Sequence, residues 1–331
     1  MKIAIVRLSA LGDIIQSMIV LQFLREKFPN STIDWFVDEK FSDIFKDVKY
    51  LDSVHILRLS EFKRNKSLLL IFDTIKYLRS FPKYDLVIDL QGLIKSALVS
   101  RFIPAKEYIG FNRGSLREPL SAYFYTRSFA IPYHENVVRR YSLLINNALG
   151  LNISDRSILK KKPFFDYVPH RKIKNAELKI IIIVGASFAS KIYPVESYAK
   201  VISSLDADFS IVWNTIKEKN LALRLNKINS RAEIAPKLSL IELKNFLSHA
   251  DLVIGGDTGP THMAWALNIP SITIFGSTPM SRNCFITKKN LAVSSDSVKN
   301  PYKIDKKDMS IKFIEPEKII SLASKLINKD L

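Results

Sequence analysis

The sequence predicts an α/β fold made of two doubly wound halves, each a parallel sheet covered by helices. Three observations carry this expectation. Short apolar runs of strand length alternate with longer runs of helical periodicity, the pattern of βαβ units. The run Lys179-Ile180-Ile181-Ile182-Ile183-Val184 is apolar on both faces, as suits a central parallel strand. The chain has 331 residues, too long for one typical domain and comfortable for two.

Taken in order, the first half opens with a strand at Lys2–Leu8, a loop Ser9-Ala10-Leu11-Gly12-Asp13 and an amphipathic helix through Lys27. Strand-like runs recur at Thr32–Val37, Ser53–Leu57 and Leu86–Leu90, with a helical run at Leu68–Arg79. The polar, basic stretch Lys160–Lys174 carries Pro163 and Pro169 and reads as a linker, which sets domains at 1–165 and 175–331. The second half starts with Lys179–Val184 and continues with helix Val195–Leu205, strand Phe209–Trp213, and helices Lys217–Ile228 and Ser239–His249. Strand Ala250–Ile254, a short helix at Met263–Leu267 and strand Ser271–Gly276 follow. Pro316–Asn328 is amphipathic and closes the chain as a helix, free to pack back on the first half.

Composition narrows the function. With 47% hydrophobic and 25% charged residues the chain forms a core and is not disordered. The single cysteine, Cys284, excludes an intramolecular disulfide and a multi-cysteine metal site. His55, His134, His170, His249 and His262 show no paired metal-ligand spacing. The N-terminus lacks the apolar core of a signal peptide, and no apolar run is long enough to span a bilayer. A cytosolic, metal-independent protein is expected.

Charge is lopsided: Lys+Arg of 50 against Asp+Glu of 32 gives +18, which favours acidic partners. Lysine runs such as Lys160–Lys162 read as solvated surface. Arg113, Arg117, Arg127, Arg139 and Arg140, crowded between Gly110 and Tyr141, are less easily dismissed. No zinc-finger, helix-turn-helix or RNP pattern supports nucleic acid. Neither half carries a G-x-G-x-x-G fingerprint, which argues against a nicotinamide or flavin dinucleotide.

The stretch Gly255-Gly256-Asp257-Thr258-Gly259-Pro260-Thr261-His262 is the richest in chemistry. It joins a strand to a helix start. Glycine permits close backbone approach, Pro260 suits a first helical turn, and the free N–H groups there attract an anion. A phosphate-bearing ligand is expected. An ordinary strand-to-helix turn needs only one capping residue, not four polar side chains.

Several segments, in joint order and spacing, resemble the ADP-heptose:lipopolysaccharide heptosyltransferases, and most of all the type I members that add the first core heptose to Kdo-lipid A. They are Ser9–Asp13, Ile88-Asp89-Leu90-Gln91-Gly92-Leu93-Ile94-Lys95-Ser96, Arg117-Glu118-Pro119-Leu120 with Tyr125, Lys191-Ile192-Tyr193-Pro194, Pro236-Lys237-Leu238-Ser239-Leu240, and Asp257-Thr258-Gly259 with His262. The resemblance covers almost the whole chain. It implies the GT-B architecture, two Rossmann-like domains facing across a cleft, and an inverting transfer with no cofactor and no obligatory metal.

The resemblance also implies roles. Asp13 becomes the general base, although as a residue alone it suits a helix N-cap. Ser187, Lys191, Glu218, Leu238, Asp257, Thr258, Gly259 and His262 become the donor site for ADP-heptose: Lys191 and the helix start for diphosphate, Glu218 for ribose, Leu238 for adenine, Asp257 and His262 for heptose. Without it, Lys191 reads as a surface charge, Glu218 as a first-turn helix acid, Asp257 as a cap and His262 as a core histidine. The acceptor carries carboxylates and phosphates, for which Arg58, Lys63, Arg64 and Arg117 offer cationic partners. One departure is that the family's histidine a few residues before an Arg-Tyr pair is replaced by Asn136 before Arg140-Tyr141, with His134 two residues earlier. A peripheral protein docked to an anionic surface, the cytoplasmic face of the inner membrane, is expected. The alternatives are a type II heptosyltransferase or another ADP-sugar transferase of this fold, and a non-catalytic protein that binds acidic glycolipid.

Overall fold

The structure is a computed structural model that describes residues 1–61, 68–166 and 178–328. It divides into two compact units, Met1–Phe164 and Phe165–Leu331.

The first unit carries six strands: β1 (Lys2–Val6), β2 (Thr32–Asp38), β3 (Ser53–Leu57), β4 (Tyr84–Asp89), β5 (Ala105–Phe111) and β6 (Arg127–Phe129). They form one parallel sheet in the order β3-β2-β1-β4-β5-β6. The second unit repeats the plan with β7 (Lys179–Ile183), β8 (Asp208–Val212), β9 (Ala232–Ile234), β10 (Leu252–Gly256), β11 (Ser271–Phe275) and β12 (Asn290–Ser294), in the order β12-β11-β10-β7-β8-β9. Both are the doubly wound order, in which the chain reverses direction beside the first strand. In the first unit β1 and β4 are neighbours with Val6 opposite Asp89; in the second β7 and β10 are neighbours with Ile183 opposite Gly255. The loops leaving these strand pairs diverge to opposite faces, and ligands of this fold class bind in the gap so made.

The central strands hold because both faces are apolar. Ile180, Ile182 and Ile254 join one buried cluster with Tyr193, Tyr198 and Phe209, and the closing helix Pro316–Ile327 adds Ile319, Ala323 and Leu326 to it. In the first unit Ala4, Val6, Phe36, Val87 and Tyr108 do the same work. The strands β5, β6, β9 and β12 carry no clear sequence signal. β5 begins Ala-Lys-Glu, and β6 and β9 are three residues long, too short for periodicity to show. The first predicted helix is two, Leu11–Ser17 and Ile19–Lys27, meeting at Met18.

The arginine cluster of the first unit is mostly structural. Arg140 is buried, donates to the carbonyls of Ile131, Pro132 and Ser115, and stacks on Phe111. Arg127 pairs with Glu107 and Arg139 with Asp155. Asn136 is also accounted for: buried, it caps helix Val137–Leu149 by accepting from the Val138 N–H. His134 is exposed beside it.

Candidate active site

In the second unit the richest polar cluster lies where strand order reverses. Gly256 ends β10, and Gly276 follows β11. A methyl group at Gly256 would stand 2.6 Å from the Lys191 carbonyl oxygen, and one at Gly276 2.5 Å from that of Ser190. Glycine at these two places lets the turn Ala189–Lys191 lie directly on the strand ends. Ser277 fastens it with a 2.8 Å hydroxyl bond to Ser190.

This brings Lys191 onto Asp257. The ammonium is 2.8 Å from Oδ2; the Asp257 side chain is buried and that of Lys191 is 12% exposed. Asp257 Oδ2 also accepts from the Thr278 hydroxyl at 2.8 Å and the Asn283 amide at 3.3 Å, and Oδ1 faces His262 Nε2 at 2.9 Å. Burial would push the Asp257 carboxyl up. The Lys191 charge and the His262 bond outweigh it and hold the group far below the usual carboxylate range. The nearby Cys284 thiol is pushed up to about 12, by burial and by the Asp257 charge, so it stays a neutral thiol.

Asp257 is therefore not a helix cap. The helix Gly259–Ala266 has Thr258 at its N-cap position, its N-cap makes no side-chain cap hydrogen bond, and Pro260 supplies no donor. A helix start without a side-chain cap is the kind of place where a bound anion can take up the free N–H groups.

The other residues predicted for this half lie along the β7 and β8 ends. Ser187 is exposed on the loop after β7. Glu218 forms a capping box with Thr215: Oε2 accepts from the N–H groups of Asn214 (2.8 Å) and Thr215 (2.9 Å). Its carboxyl also closes over Gly185, where a methyl group would come within 2.3 Å of Oε1. Oε1 has no hydrogen-bond partner among the described residues. Leu238 is half-buried on the loop after β9, next to the Ser239 cap of helix Leu240–Ser248.

In the first unit, Asp13 occupies the first turn of helix Leu11–Ser17, but Ala10 is the N-cap residue and Asp13 caps nothing. Its carboxylate turns to Arg7, with Oδ2 2.8 Å from the guanidinium; Asp13 is 41% exposed and Arg7 7%. The loop after β4 braces this loop. Gln91 accepts from the N–H groups of Leu8 and Ser9, and Lys95 donates to the Ser9 hydroxyl. Behind it Asp89 is fully buried and accepts from Gln91 N, Gly92 N, Ser96 Oγ and Tyr125 Oη, all within 3.0 Å. Burial dominates and raises the Asp89 carboxyl in spite of those donors.

Arg58 is exposed just past β3, and Arg117 is exposed with Glu118 3.8 Å away. Lys63 and Arg64 lie outside the described residues. Sequence reasoning missed Arg7, Thr278, Asn283 and Ser190. Thr278 was within reach, since Ser277-Thr278-Pro279 follows an apolar strand just as the Asp257 loop does.

A family model, glycosyltransferase family 9 (heptosyltransferase), matches residues 72–312. Lipopolysaccharide heptosyltransferase 1 of Campylobacter coli is 38% identical over 348 aligned positions that cover all of both chains. The Pseudomonas aeruginosa protein of the same name is 28% identical over 294 positions, 84% of this chain and 79% of its own. Among solved structures, the E. coli heptosyltransferase WaaC with ADP superposes at a TM-score of 0.80 and 22% identity, covering 98% of this chain and all of that one. That likeness establishes the fold as GT-B, two Rossmann-like domains.

The depressed Asp257 carboxyl has a consequence for stability. A carboxyl held below its unfolded value of about 3.9 stabilises the fold above that pH and loses its contribution as pH falls toward the folded value. Denaturant titrations of the native protein and Asp257→Asn should therefore differ most above pH 5. The gap should narrow below about pH 4 by up to about 1.4 kcal/mol per pH unit. A gap unchanged down to pH 2.5 would mean that the charge is not what Asp257 contributes.

Proposed function

The chain belongs to glycosyltransferase family 9, the heptosyltransferases, and from that premise we propose that it moves L-glycero-D-manno-heptose from ADP-heptose to the Kdo of Kdo-lipid A, with inversion. The observation that carries this is Asp13. It stands half-exposed in the first turn of the helix that follows β1, at the strand reversal, bonded only to Arg7 among the described residues and not used as a cap. A carboxylate so placed is free to take a proton.

In the transfer, the acceptor hydroxyl oxygen attacks the anomeric carbon while Asp13 takes its proton. The bond from that carbon to the diphosphate oxygen breaks, and ADP leaves with the electron pair. Charge grows on the diphosphate, where the Lys191 ammonium and the open turn of helix Gly259–Ala266 oppose it. Lys191 must then loosen from Asp257. Asp257 can spare it, since His262, Thr278 and Asn283 remain as partners. Oδ1 of Asp257, with only His262 upon it among the described residues, is the oxygen suited to a heptose hydroxyl. Ser187 completes the phosphate contacts, Glu218 Oε1 takes a ribose hydroxyl, and Leu238 lies against adenine. Arg58 and Arg117 meet the acidic acceptor, with Lys63 and Arg64. The full-length likeness to a heptosyltransferase 1 supports Kdo-lipid A as the acceptor.

The acceptor is a lipid, and among the described residues no helix is long and apolar enough to cross a membrane. The net +18 supports docking from one side through basic charge.

Asp13→Asn keeps shape and removes the base. Turnover should fall by roughly two to four orders of magnitude with ADP-heptose affinity unchanged, whereas near-normal turnover would displace Asp13 from that role. Calorimetry with ADP alone separates the donor residues. Lys191→Ala should weaken ADP binding by about tenfold or more, as expected for a lost charge-assisted contact. Asp257→Asn should leave ADP binding intact or tighten it, because Lys191 is released, while heptose transfer falls. Equal losses of ADP affinity in both would contradict the division. Sedimentation with vesicles addresses docking: binding should need anionic lipid, fade at high salt, and weaken when Lys63, Arg64 and Lys66 become Ser. Binding indifferent to lipid charge and salt would exclude an electrostatic dock.

A further inference from the structure

Arg7 has a place in the fold that stability does not explain. It follows β1 directly and is buried. One guanidinium arm, Nη1, donates to the Leu90 carbonyl at 3.0 Å, and the other, Nη2, meets Asp13 Oδ2 at 2.8 Å. The guanidinium carbon lies 5.6 Å from the centre of the Tyr141 ring, and Nε is buried with no hydrogen-bond partner among the described residues. The Arg7 backbone is fixed as well: its N–H donates to Phe36 and its carbonyl accepts from the Trp35 indole. Burial would pull the guanidinium down, and the charges around it, Asp13 and Asp89 among them, hold it up, so it stays a cation.

Burying a cation costs free energy, and a pair whose acid is half-exposed returns little of it. An apolar side chain would pack this position more cheaply. What the arginine does supply is geometry. Its planar fork ties Asp13 to the end of β4 through one rigid group, which a lysine ammonium cannot do at two points at once. Asp13 Oδ2 is thereby engaged, and Oδ1 has no hydrogen-bond partner among the described residues.

We infer that Arg7 is a positioning residue for the transfer: it fixes the Asp13 carboxylate by Oδ2 so that Oδ1 presents its lone pair to the acceptor hydroxyl. This rests on Asp13 as the general base. On this reading Arg7 acts through Asp13.

A double-mutant cycle tests it, reading kcat and both KM values for heptose transfer in the full chain. Arg7→Lys should lower kcat by roughly 10- to 100-fold, the usual scale of a misplaced catalytic group, with KM for ADP-heptose within about twofold. In an Asp13→Asn background the same Arg7→Lys change should cost almost nothing more, because the group it positions is gone. Arg7→Met, which fills the space without charge, should show the same dependence with a larger kcat loss, and it stands in if the lysine variant does not fold. Thermal melting confirms that the compared variants are folded. An Arg7 loss of the same size with and without Asp13 would overturn the inference and leave the base assignment standing, as would normal kcat in both Arg7 variants. Near-normal turnover of Asp13→Asn alone would overturn the base assignment, and the positioning role with it.

Discussion

The strand order of each sheet is the constraint from which the sites follow. A parallel sheet whose chain reverses beside its first strand leaves two loop ends diverging at one place, with polar backbone that no neighbouring loop covers. In the first unit this place joins the loops after β1 and β4, and with them Arg7, Asp13 and Gln91. In the second it joins the loops after β7 and β10, and with them Lys191 and Asp257. The apolar runs that make Ile180–Ile183 and Leu252–Ile254 central strands therefore also decide where the charged side chains meet.

The two acids at these places are treated in opposite ways. Asp257 is buried, its carboxylate shared among Lys191, His262, Thr278 and Asn283, and it stays ionised far below the usual range. Such a group holds position and accepts hydrogen bonds; it is too weak a base to take a proton in turnover. Asp13 is half-exposed with Arg7 as its single partner among the described residues, which leaves an oxygen for chemistry. Environment, not residue type, separates an acid that orients a ligand from one that can serve as a base.

What the sequence made legible follows the range of the interactions involved. The β7 run, the Asp257 loop and the helix start at Gly259 are written in adjacent residues, and they were readable. The plain alternative for Glu218, a first-turn helix acid, was readable; the structure adds that it forms a capping box with Thr215 across one helical turn. The family resemblance put Lys191, Asp257 and His262 in one site, but Thr278 and Asn283 were not readable, because they come from separate loops and meet Asp257 only after the sheet forms. Arg7 was hidden for a related reason: one charged residue at the end of an apolar strand looks like the strand's solvated end, and its burial depends on Tyr141 and Leu90 far along the chain. The crowd of arginines after Gly110 was over-read for the same cause, since Arg140 proved to be bonded to backbone carbonyls that sequence spacing does not reveal.

The most direct measurement is the mass of the glycolipid after the protein acts on ADP-heptose with Kdo-lipid A as acceptor, alongside Kdo-lipid A that already carries one heptose. A gain of a single heptose on the unmodified Kdo-lipid A, and none on the heptosylated acceptor, is the expected result. No gain on Kdo-lipid A, or a gain only on the acceptor that already bears heptose, would contradict it.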